Sequence, residues 1–371
     1  MRLFKIVCVV GARPNFMKIA PLMREFENYP EIEAVLVHTG QHFDTVMSKL
    51  FFQELEIPAP HVNLEVGSGS HAIQTAKIME KFEPVLMKEK PDLVLVVGDV
   101  NSTLGCALTA VKLQIPVAHV EAGLRSFDRS MPEEINRVLT DAISQYLFTT
   151  ERSADENLLK EGVAKEKIHF VGNVMIDTLL RHKERADHSD VLSRLQVRKK
   201  SYGLVTLHRP SNVDDGDTFE GILSALKELS RKMPIIFPCH PRTRERIRSF
   251  NFSHDIDDGT NHPKNMTIVE PLGYLDFLKL MADARVVLTD SGGIQEETTI
   301  VGTPCLTLRE STERPVTVTE GTNIVVGTNR EKILEKTFEV LSKNSLKGRI
   351  PELWDGKASE RIVKVLTDSL C

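Results

Sequence analysis

Residues 92–105 read DLVLVVGDVNSTLG and give the strongest single indication of the fold. The apolar run is continuous rather than alternating, which is typical of a parallel strand covered by helices on both faces. A glycine, an aspartate and a helical pattern follow it directly, as in a β-α unit. The first half is therefore predicted to be a doubly wound α/β domain. Its other short apolar runs, each separated from the next by a helical pattern or a turn, lie at residues 5–10, 34–37, 116–120 and 146–149.

The second half repeats this alternation, which predicts a second domain of the same class. A charged stretch at residues 181–200 lies between the halves and is predicted to be a solvated helix with a connector. We place the boundary near Asn173, so the expected fold class is α/β with two Rossmann-like domains. Ligands of such folds bind beyond the carboxyl ends of the strands, which predicts a site in the cleft between the domains. The apolar runs of this half lie at residues 203–207, 234–238, 267–269, 285–289, 303–308 and 323–326.

Composition excludes several classes of protein. The 371 residues suit two domains, and 47 Lys and Arg against 52 Asp and Glu give a net charge of −5, so no nucleic-acid surface is expected. The five cysteines are scattered and odd in number, which favours free thiols in a reducing compartment. The apolar run at the amino terminus is too short for a secretory signal, and no run approaches the ~18–20 residues of a membrane span. We expect a cytoplasmic protein.

The first candidate site follows the first predicted strand, where residues 11–18 read GARPNFMK. Arg13 and Lys18 lie at the start of a predicted helix, where a guanidinium, an ammonium and the helix amino terminus can bind phosphate together. The dinucleotide-binding pattern G-x-G-x-x-G is absent from this turn. The alternative is an ordinary strand-to-helix turn with two surface cations.

Carboxylates follow two further strands and begin a helix. Asp99 and Glu121 each follow an apolar run, and Glu133 lies in the first turn of a helix that begins at Pro132. These acids could transfer protons if they converge on one cleft. Alternatively, Asp99 caps a helix and Glu133 complements the helix dipole. The helix also carries a predicted apolar stripe, nearly opposite Glu133, formed by Ile135, Val138, Leu139 and Ala142.

In the second half, two histidines follow predicted strands. His208 ends the first strand of this half, with Arg209 beside it, and His240 follows the next strand. A histidine at a strand end could face the cleft, or it could be structural.

A glycine-rich helix start is the most specific stretch of the second half, with TDSGGIQEETTIVGTP at residues 289–304. The backbone N–H groups near Ser291, Gly292 and Gly293 suit an anion, since glycines allow close approach. Glu297 lies one turn further and could accept hydrogen bonds from vicinal hydroxyls such as those of a ribose. Arg314, downstream in ESTERP, is a further candidate cation for a phosphate.

Taken together, these segments resemble the non-hydrolysing UDP-N-acetylglucosamine 2-epimerase family. The resemblance implies the glycosyltransferase-B architecture and a last helix, at residues 358–370, that returns to the first domain. The implied domains are residues 1–173 with 357–371, on the sugar side with the catalytic acids, and residues 174–356, which bind UDP. The likeness is carried, in the family's order, by GARPNFMKIAP, VVGDVNSTL, HVEAGLR, MPEEINR, VGNVMIDTLL, HRPSN, LTDSGGIQEE, STERP and DGKASERI.

The family's reaction interconverts UDP-GlcNAc and UDP-ManNAc, by anti elimination of UDP to a 2-acetamidoglucal and re-addition after protonation at C2 from the other face. The expected partners are a UDP-sugar substrate and a second copy of the chain in a homodimer, and no cofactor or metal is implied. The matching positions imply catalytic roles for Asp99, Glu121, Glu133 and His208. Those implied to bind UDP or the reaction centre are Arg13, Lys18, Arg209, Phe277, Ser291, Gly292, Gly293, Glu297 and Arg314, and Gln41 and His240 match parts of an allosteric site.

The chain departs from the family's pattern at two motifs. Many members have G-T-R-P-E where this chain has GARPN, and H-R-R-E-N where it has HRPSN. Related enzymes act on UDP-2,3-diacetamido uronic acids, and hydrolysing relatives release free ManNAc. A glycosyltransferase on the same fold and a non-catalytic nucleotide-sugar-binding protein are the remaining alternatives. The binding protein would need the segment from Ser291 to Glu297 but not three acids together with His208.

Overall fold

The computed structural model describes residues 3–41, 45–239, 241–249, 266–343 and 348–370. The chain divides into two compact units, Met1–Arg181 with Glu352–Cys371, and His182–Pro351. Each unit contains one parallel sheet with helices between its strands. The predicted fold class, two Rossmann-like α/β domains, is confirmed. None of the helices in the described part of the chain is long and apolar enough to cross a membrane.

The first unit is built on a seven-stranded sheet in the order β3-β2-β1-β4-β5-β6-β7. The chain reverses its direction of winding between β1 and β4, and ligands of doubly wound sheets bind at this kind of switch point. The strands are β1 (Phe4–Val10), β2 (Ile32–His38), β3 (Val62–Asn63), β4 (Leu93–Val97), β5 (Val117–Ala122), β6 (Tyr146–Thr149) and β7 (Ile168–Phe170). The helices are α1 (Arg13–Phe26), α2 (Thr45–Glu54), α3 (His71–Glu89), α4 (Asn101–Lys112), α5 (Pro132–Ile143), α6 (Arg152–Lys160), α7 (Val174–Asp187), which continues into the second unit, and α16 (Ala358–Leu370).

The second unit is built on a six-stranded sheet in the order β10-β9-β8-β11-β12-β13, with its switch point between β8 and β11. The strands are β8 (Gly203–Thr206), β9 (Ile235–Pro238), β10 (Met266–Val269), β11 (Val286–Thr289), β12 (Cys305–Thr307) and β13 (Asn323–Val325). The helices are α8 (Val191–Arg194), α9 (Pro210–Val213), α10 (Gly216–Ser230), α11 (Pro241–Ser249), α12 (Tyr274–Asp283), α13 (Gly292–Val301), α14 (Val316–Thr319) and α15 (Arg330–Ser342).

Burial of the central strands on both faces explains their continuous apolar sequences. Every residue of β4 is buried, and Val94 and Val96 pack in one cluster with Ile78 and Phe82 of α3. Each such side chain contributes ~1.5–3 kcal/mol when it is fully buried. All of the runs predicted as strands form strands. The pattern misses only β3 and β7 among the described strands, because each is short and lies at a sheet edge where burial is incomplete.

The last helix belongs to the first unit because a buried aspartate fixes its start. Asp177 of α7 accepts hydrogen bonds from the backbone N–H of Ala358 (3.1 Å) and Ser359 (2.7 Å) and from the Ser359 hydroxyl. Just before the helix, the indole of Trp354 is buried and donates to the Thr150 carbonyl at 2.9 Å. The motifs VGNVMIDTLL and DGKASERI therefore meet in space. The units divide at Arg181 within α7, whereas the boundary predicted from the sequence lies at the start of that helix.

The apolar stripe of α5 was expected to be the buried face of the helix, and this prediction is wrong. The helix buries its polar side, and Leu139 is 47% exposed. The reason is that the neighbouring strand ends carry charged and polar groups that need partners from α5. The buried residues are Glu134, Asn136, Arg137, Thr140 and Asp141, whereas Ile135, Val138, Leu139 and Ala142 are half-buried or exposed.

Candidate functional site

Lys18 and Glu121 form a buried ion pair at the switch point of the first sheet. Lys18 lies on α1 and Glu121 near the carboxyl end of β5, and the Lys18 Nζ is 2.7 Å from the Glu121 carboxylate. Their side chains are only 4% and 1% exposed. Both residues were predicted for the site from the sequence, and the structure brings these two into direct contact.

Gly98 makes room for this ion pair. It follows β4 with φ 68°, in the left-handed region that favours glycine. A Cβ at Gly98 would lie 2.8 Å from the Lys18 Nζ, so a larger residue would push the ammonium away from Glu121. Glu121 itself has φ 76°, beside a register shift between Val120 and Ala122 of β5. The backbone at both strand ends is thus shaped around the pair.

Asn15 occupies one of the two positions at which the first motif departs from the family's pattern. Its carboxamide oxygen accepts hydrogen bonds from the backbone N–H of Gly11 (3.2 Å) and Ala12 (3.0 Å) at the start of α1. Its amide nitrogen donates to the Val97 carbonyl at 2.9 Å. An amide supplies both an acceptor and a donor here, whereas an ionised glutamate would supply acceptors only.

Asp99 pairs with a buried arginine. The Arg137 guanidinium contacts the Asp99 carboxylate, and its other side donates to Glu134 at 2.7 and 3.0 Å. Glu134 also accepts from the backbone N–H of Ser126 and Phe127. Burial raises the pKa of Glu134, but these donors and Arg137 outweigh burial, so its pKa is lowered. Helix α4 begins after Asp99 without a side-chain cap.

Glu133 differs from the other two acids in its surroundings. It is half-buried in the first turn of α5 and makes no hydrogen bond or ion pair with another described residue. Glu121 and Asp99 each contact a cation, at Lys18 and Arg137.

In the second unit, His208 and Asp290 face each other across the switch point between β8 and β11. The His208 Nδ1 lies 2.9 Å from an Asp290 oxygen, and the side chain is 57% exposed. Asp290 is buried and also accepts from the backbone N–H of His208 and Arg209. Burial raises its pKa, but His208 and these backbone donors outweigh burial, and the pKa is lowered. An ionised Asp290 holds the proton on Nδ1 and leaves Nε2 available for chemistry.

Arginines and buried glutamates surround the start of α13. The Arg314 Nε lies 2.8 Å from Glu296, and Nη1 contacts Glu313. Glu313 also pairs with Arg309 at 2.8 Å, and Arg209 lies 3.7 Å from it. Arg314 is buried. Its predicted role as a cation for phosphate therefore depends on the guanidinium atoms that these glutamates leave accessible to a ligand.

The helix start itself is closely packed against Arg314. A Cβ at Gly292 would lie 2.4 Å from the Arg314 Nη1, so only glycine fits beside the guanidinium. Ser291 is the N-cap residue of α13 and makes no side-chain cap bond, which leaves its hydroxyl unused by the helix. Gly293 is half-buried in the first turn.

Glu297 is buried and hydrogen-bonded to a tyrosine. The Tyr274 hydroxyl donates to it at 3.0 Å. Burial raises the pKa of Glu297 to about 8, the Tyr274 hydroxyl lowers it, and neighbouring Glu296 raises it. Phe277, on the same helix as Tyr274, is half-buried.

The remaining predicted residues fall into two groups. Gln41 is buried, and its side-chain oxygen accepts from Ser102 N–H (2.9 Å) and hydroxyl (2.6 Å), which ties the segment after β2 to α4. Its allosteric role stays a prediction. His240 lies outside the described residues, as does the side chain of Arg13, which begins α1. Among the described side chains, no group of three histidines, cysteines or acids is arranged to hold a metal ion.

Sequence reasoning missed the partners that hold the predicted residues. Arg137 and Asp290 lie inside quoted motifs, but nothing in those motifs names the side chain that each contacts. For Arg137 the sequence offered no signal, because the apolar stripe predicts that the opposite side of α5, where Arg137 lies, is not buried.

Comparison with known proteins places the chain in a family. The family model described as UDP-N-acetylglucosamine 2-epimerase matches residues 24–367. A UDP-N-acetylglucosamine 2-epimerase from Methanocaldococcus jannaschii is 45% identical over 368 residues, which cover 98% of this chain and 99% of the relative. A UDP-2,3-diacetamido-2,3-dideoxy-D-glucuronate 2-epimerase from Pseudomonas aeruginosa is 40% identical, with 98% of this chain and 99% of the relative covered.

A solved structure is equally similar. The crystal structure of Methanocaldococcus jannaschii UDP-GlcNAc 2-epimerase in complex with UDP-GlcNAc and UDP superposes with a TM-score of 0.91 at 45% identity. The match covers 98% of this chain and 100% of that one, so both units of the fold are shared.

Proposed function

Since this chain belongs to the UDP-N-acetylglucosamine 2-epimerase family, we propose that it is a non-hydrolysing enzyme that interconverts UDP-GlcNAc and UDP-ManNAc. The observation that carries the proposal is the cation-paired acids, Glu121 with Lys18 and Asp99 with Arg137, at the switch point of the first sheet. Proton transfer at carbon needs titratable groups held in fixed positions, and these contacts fix two of them.

The proposed reaction inverts C2 through an unsaturated intermediate. A base removes the C2 proton, the electron pair forms a C1–C2 double bond, and the C1–O bond breaks so that UDP leaves. An acid then returns a proton to C2 from the opposite face, while a diphosphate oxygen of UDP attacks C1. The atoms balance without any oxidant or reductant, and the sugar remains linked to UDP in the product.

The first unit is proposed to act on the sugar. Asp99, Glu121 and Glu133 supply the base and the acid, since removal and return of a proton on opposite faces need more than one titratable group. Lys18 and Arg13 are proposed to stabilise the charge of the departing diphosphate. Half-buried Glu133 contacts no described cation, so it is the acid of the three whose proton is least constrained by an ion pair.

The second unit is proposed to bind UDP. Backbone N–H groups at Ser291, Gly292 and Gly293 suit the diphosphate. Glu297 is proposed to accept from the ribose hydroxyls and Phe277 to lie against the uracil. His208, oriented by Asp290, and the arginines Arg209 and Arg314 complete the positive charge around the diphosphate.

A homodimer is proposed to form through α3, α4 and α5. Because α5 buries its polar side, its apolar side faces outward, with Leu139 47% exposed. Ile73 of α3 is 55% exposed, and α4 packs with both helices. Exposed apolar side chains on neighbouring helices are the raw material of an apolar patch, and large patches mark protein–protein interfaces.

A second candidate substrate is a UDP-2,3-diacetamido sugar acid. The relative from Pseudomonas aeruginosa named for that activity is 40% identical over almost the whole chain. Incubating the protein with each UDP-sugar and following the products by proton NMR distinguishes the candidates. The proposal predicts UDP-ManNAc from UDP-GlcNAc, and release of free ManNAc would instead indicate a hydrolysing enzyme.

A further inference from the structure

His119, in the middle of β5, has two hydrogen-bond partners that accept. It is fully buried, its Nδ1 lies 2.6 Å from an Asp141 oxygen, and its Nε2 lies 2.8 Å from the Gly98 carbonyl. A carbonyl oxygen accepts only, so Nε2 must carry a proton. Nδ1 also carries a proton if Asp141 is ionised, because an ionised carboxylate can only accept.

Asp141 is surrounded by donors. Its second oxygen accepts from the Arg125 guanidinium at 2.7 Å and from the Gly123 N–H at 3.0 Å. Burial raises its pKa, but His119 and Arg125 outweigh burial, and the pKa is lowered. Arg125, in the loop after β5, in turn pairs with Glu161, which directly follows α6, at 2.6 Å, so charges of alternating sign run from Asp141 through Arg125 to Glu161. The Arg125 guanidinium and the Gly123 N–H donate to Asp141 whatever the state of His119, so the carboxylate is ionised and Nδ1 donates to it.

We infer that both ring nitrogens of His119 donate, Nδ1 to Asp141 and Nε2 to the Gly98 carbonyl, and that His119 positions Asp99 by holding that carbonyl. Both polar atoms of the Gly98 backbone are then bound to β5, because its N–H donates to the Val120 carbonyl at 3.0 Å. Gly98 is also the residue over which Lys18 reaches Glu121.

The imidazolium ties the end of β4 to the helix that holds Asp99. Asp141 lies on α5, which also supplies Arg137 to the Asp99 carboxylate and the Asn136 amide to the Asp99 carbonyl at 2.9 Å. His119 therefore acts on catalysis through Asp99 and touches no substrate. Its kinetic role rests on the proposed function, whereas its charge state does not.

The charge state is tested by ¹⁵N NMR of the full chain labelled at histidine, with the His119 signals assigned from their loss in His119→Gln. We expect both ring nitrogens of His119 to be protonated at pH 7.5. His169 of β7 is the internal control, because burial lowers its pKa and its ring should be neutral at that pH. An unprotonated ring nitrogen on His119 at pH 7.5 would overturn the inference, even if the wild-type protein were an active epimerase.

The positioning role is tested with His119→Gln and with His169→Gln as the matched control. His119→Gln should lower kcat for UDP-GlcNAc by ~10- to 100-fold, as expected for a displaced catalytic group, with KM and UDP affinity nearly unchanged. His169→Gln should retain kcat. A folded His119→Gln with normal kcat contradicts the role. If that variant does not fold, Asp141→Asn must show the same loss of kcat and a neutral His119 ring, and normal kcat there also overturns it.

Discussion

Glu121 reaches the candidate site through two unusual backbone conformations. Its own φ of 76° is rare for a residue with a side chain, and Gly98 on the neighbouring strand end has a φ of 68°. A non-glycine residue in this region costs ~1–3 kcal/mol, and such strain persists only where the surroundings determine it. The buried Lys18 ammonium, which needs a carboxylate partner, is the group that keeps Glu121 in place.

Replacing each acid by its amide separates catalysis from structure. We predict that Asp99→Asn, Glu121→Gln and Glu133→Gln each lower epimerisation by at least ~100-fold, because each removes a titratable proton. UDP affinity, measured by calorimetry, should be retained. Normal turnover in any one variant would remove that residue from the catalytic set.

The same variants should differ in stability. Glu121→Gln leaves Lys18 buried without its counter-charge, which is expected to lower the free energy of unfolding by ~3–5 kcal/mol. Glu133→Gln breaks no contact with a described residue and should change it by less than ~0.5 kcal/mol. Denaturant unfolding of both variants measures the two changes in the free energy of unfolding. Equal losses of stability would contradict the account of the ion pair.

Glu297 should make stability depend on pH. Its pKa is raised from 4.5 to about 8, so the folded form holds a proton that the unfolded form has lost between these values. Its contribution is complete below pH 4.5 and is lost as the pH rises through 8. We predict that the wild-type free energy of unfolding, relative to Glu297→Gln, falls by as much as several kcal/mol between about pH 5 and pH 9. A relative stability that is constant or rises over this range would refute the assignment.

At the scale of elements, helix α5 shows where sequence periodicity misleads. Its apolar residues have the spacing of a buried stripe, yet the sheet below it presents polar groups at His119, within β5, and at Asp99, after β4. Asp141 and Arg137 must therefore point inward. The hydrophobic pattern of a helix shows which side is apolar. That side can pack against the core of its own chain or against a partner protein.

The outward side of α5 gives a test of self-association. We predict that Leu139→Glu and Ile73→Glu, which place charges on the proposed interface, convert a dimer to a monomer in sedimentation experiments. Ile350→Glu is the matched control, since Ile350 is an exposed apolar residue of the other unit. A wild-type monomer, or a dimer that survives Leu139→Glu, would contradict the proposed interface.

The central strands and several positions of the candidate site could be predicted from the sequence. Central strands are marked by continuous apolar runs, and strand ends of doubly wound sheets are where ligands bind, so Asp99, Glu121 and His208 could be named directly. The partners could not, because Arg137 and Asp290 are paired by tertiary structure across long stretches of sequence. Short edge strands such as β3 lack the burial that produces a sequence pattern.

For the whole molecule, the two units divide the proposed chemistry. The first holds the acids and a buried lysine, and the second holds a glycine helix start, arginines and an oriented histidine. Among the described residues, the proposed proton-transfer groups lie in the first unit, and most of the proposed nucleotide contacts lie in the second. The proposed function therefore requires residues of both units.

Incubation with UDP-GlcNAc in deuterated water, followed by NMR of C2, tests the central claim most directly. If proton removal and return occur at C2, both UDP-GlcNAc and UDP-ManNAc should acquire deuterium there, and both should remain linked to UDP. Formation of UDP-ManNAc that retains the original C2 proton, or the absence of any exchange at C2, would contradict the account.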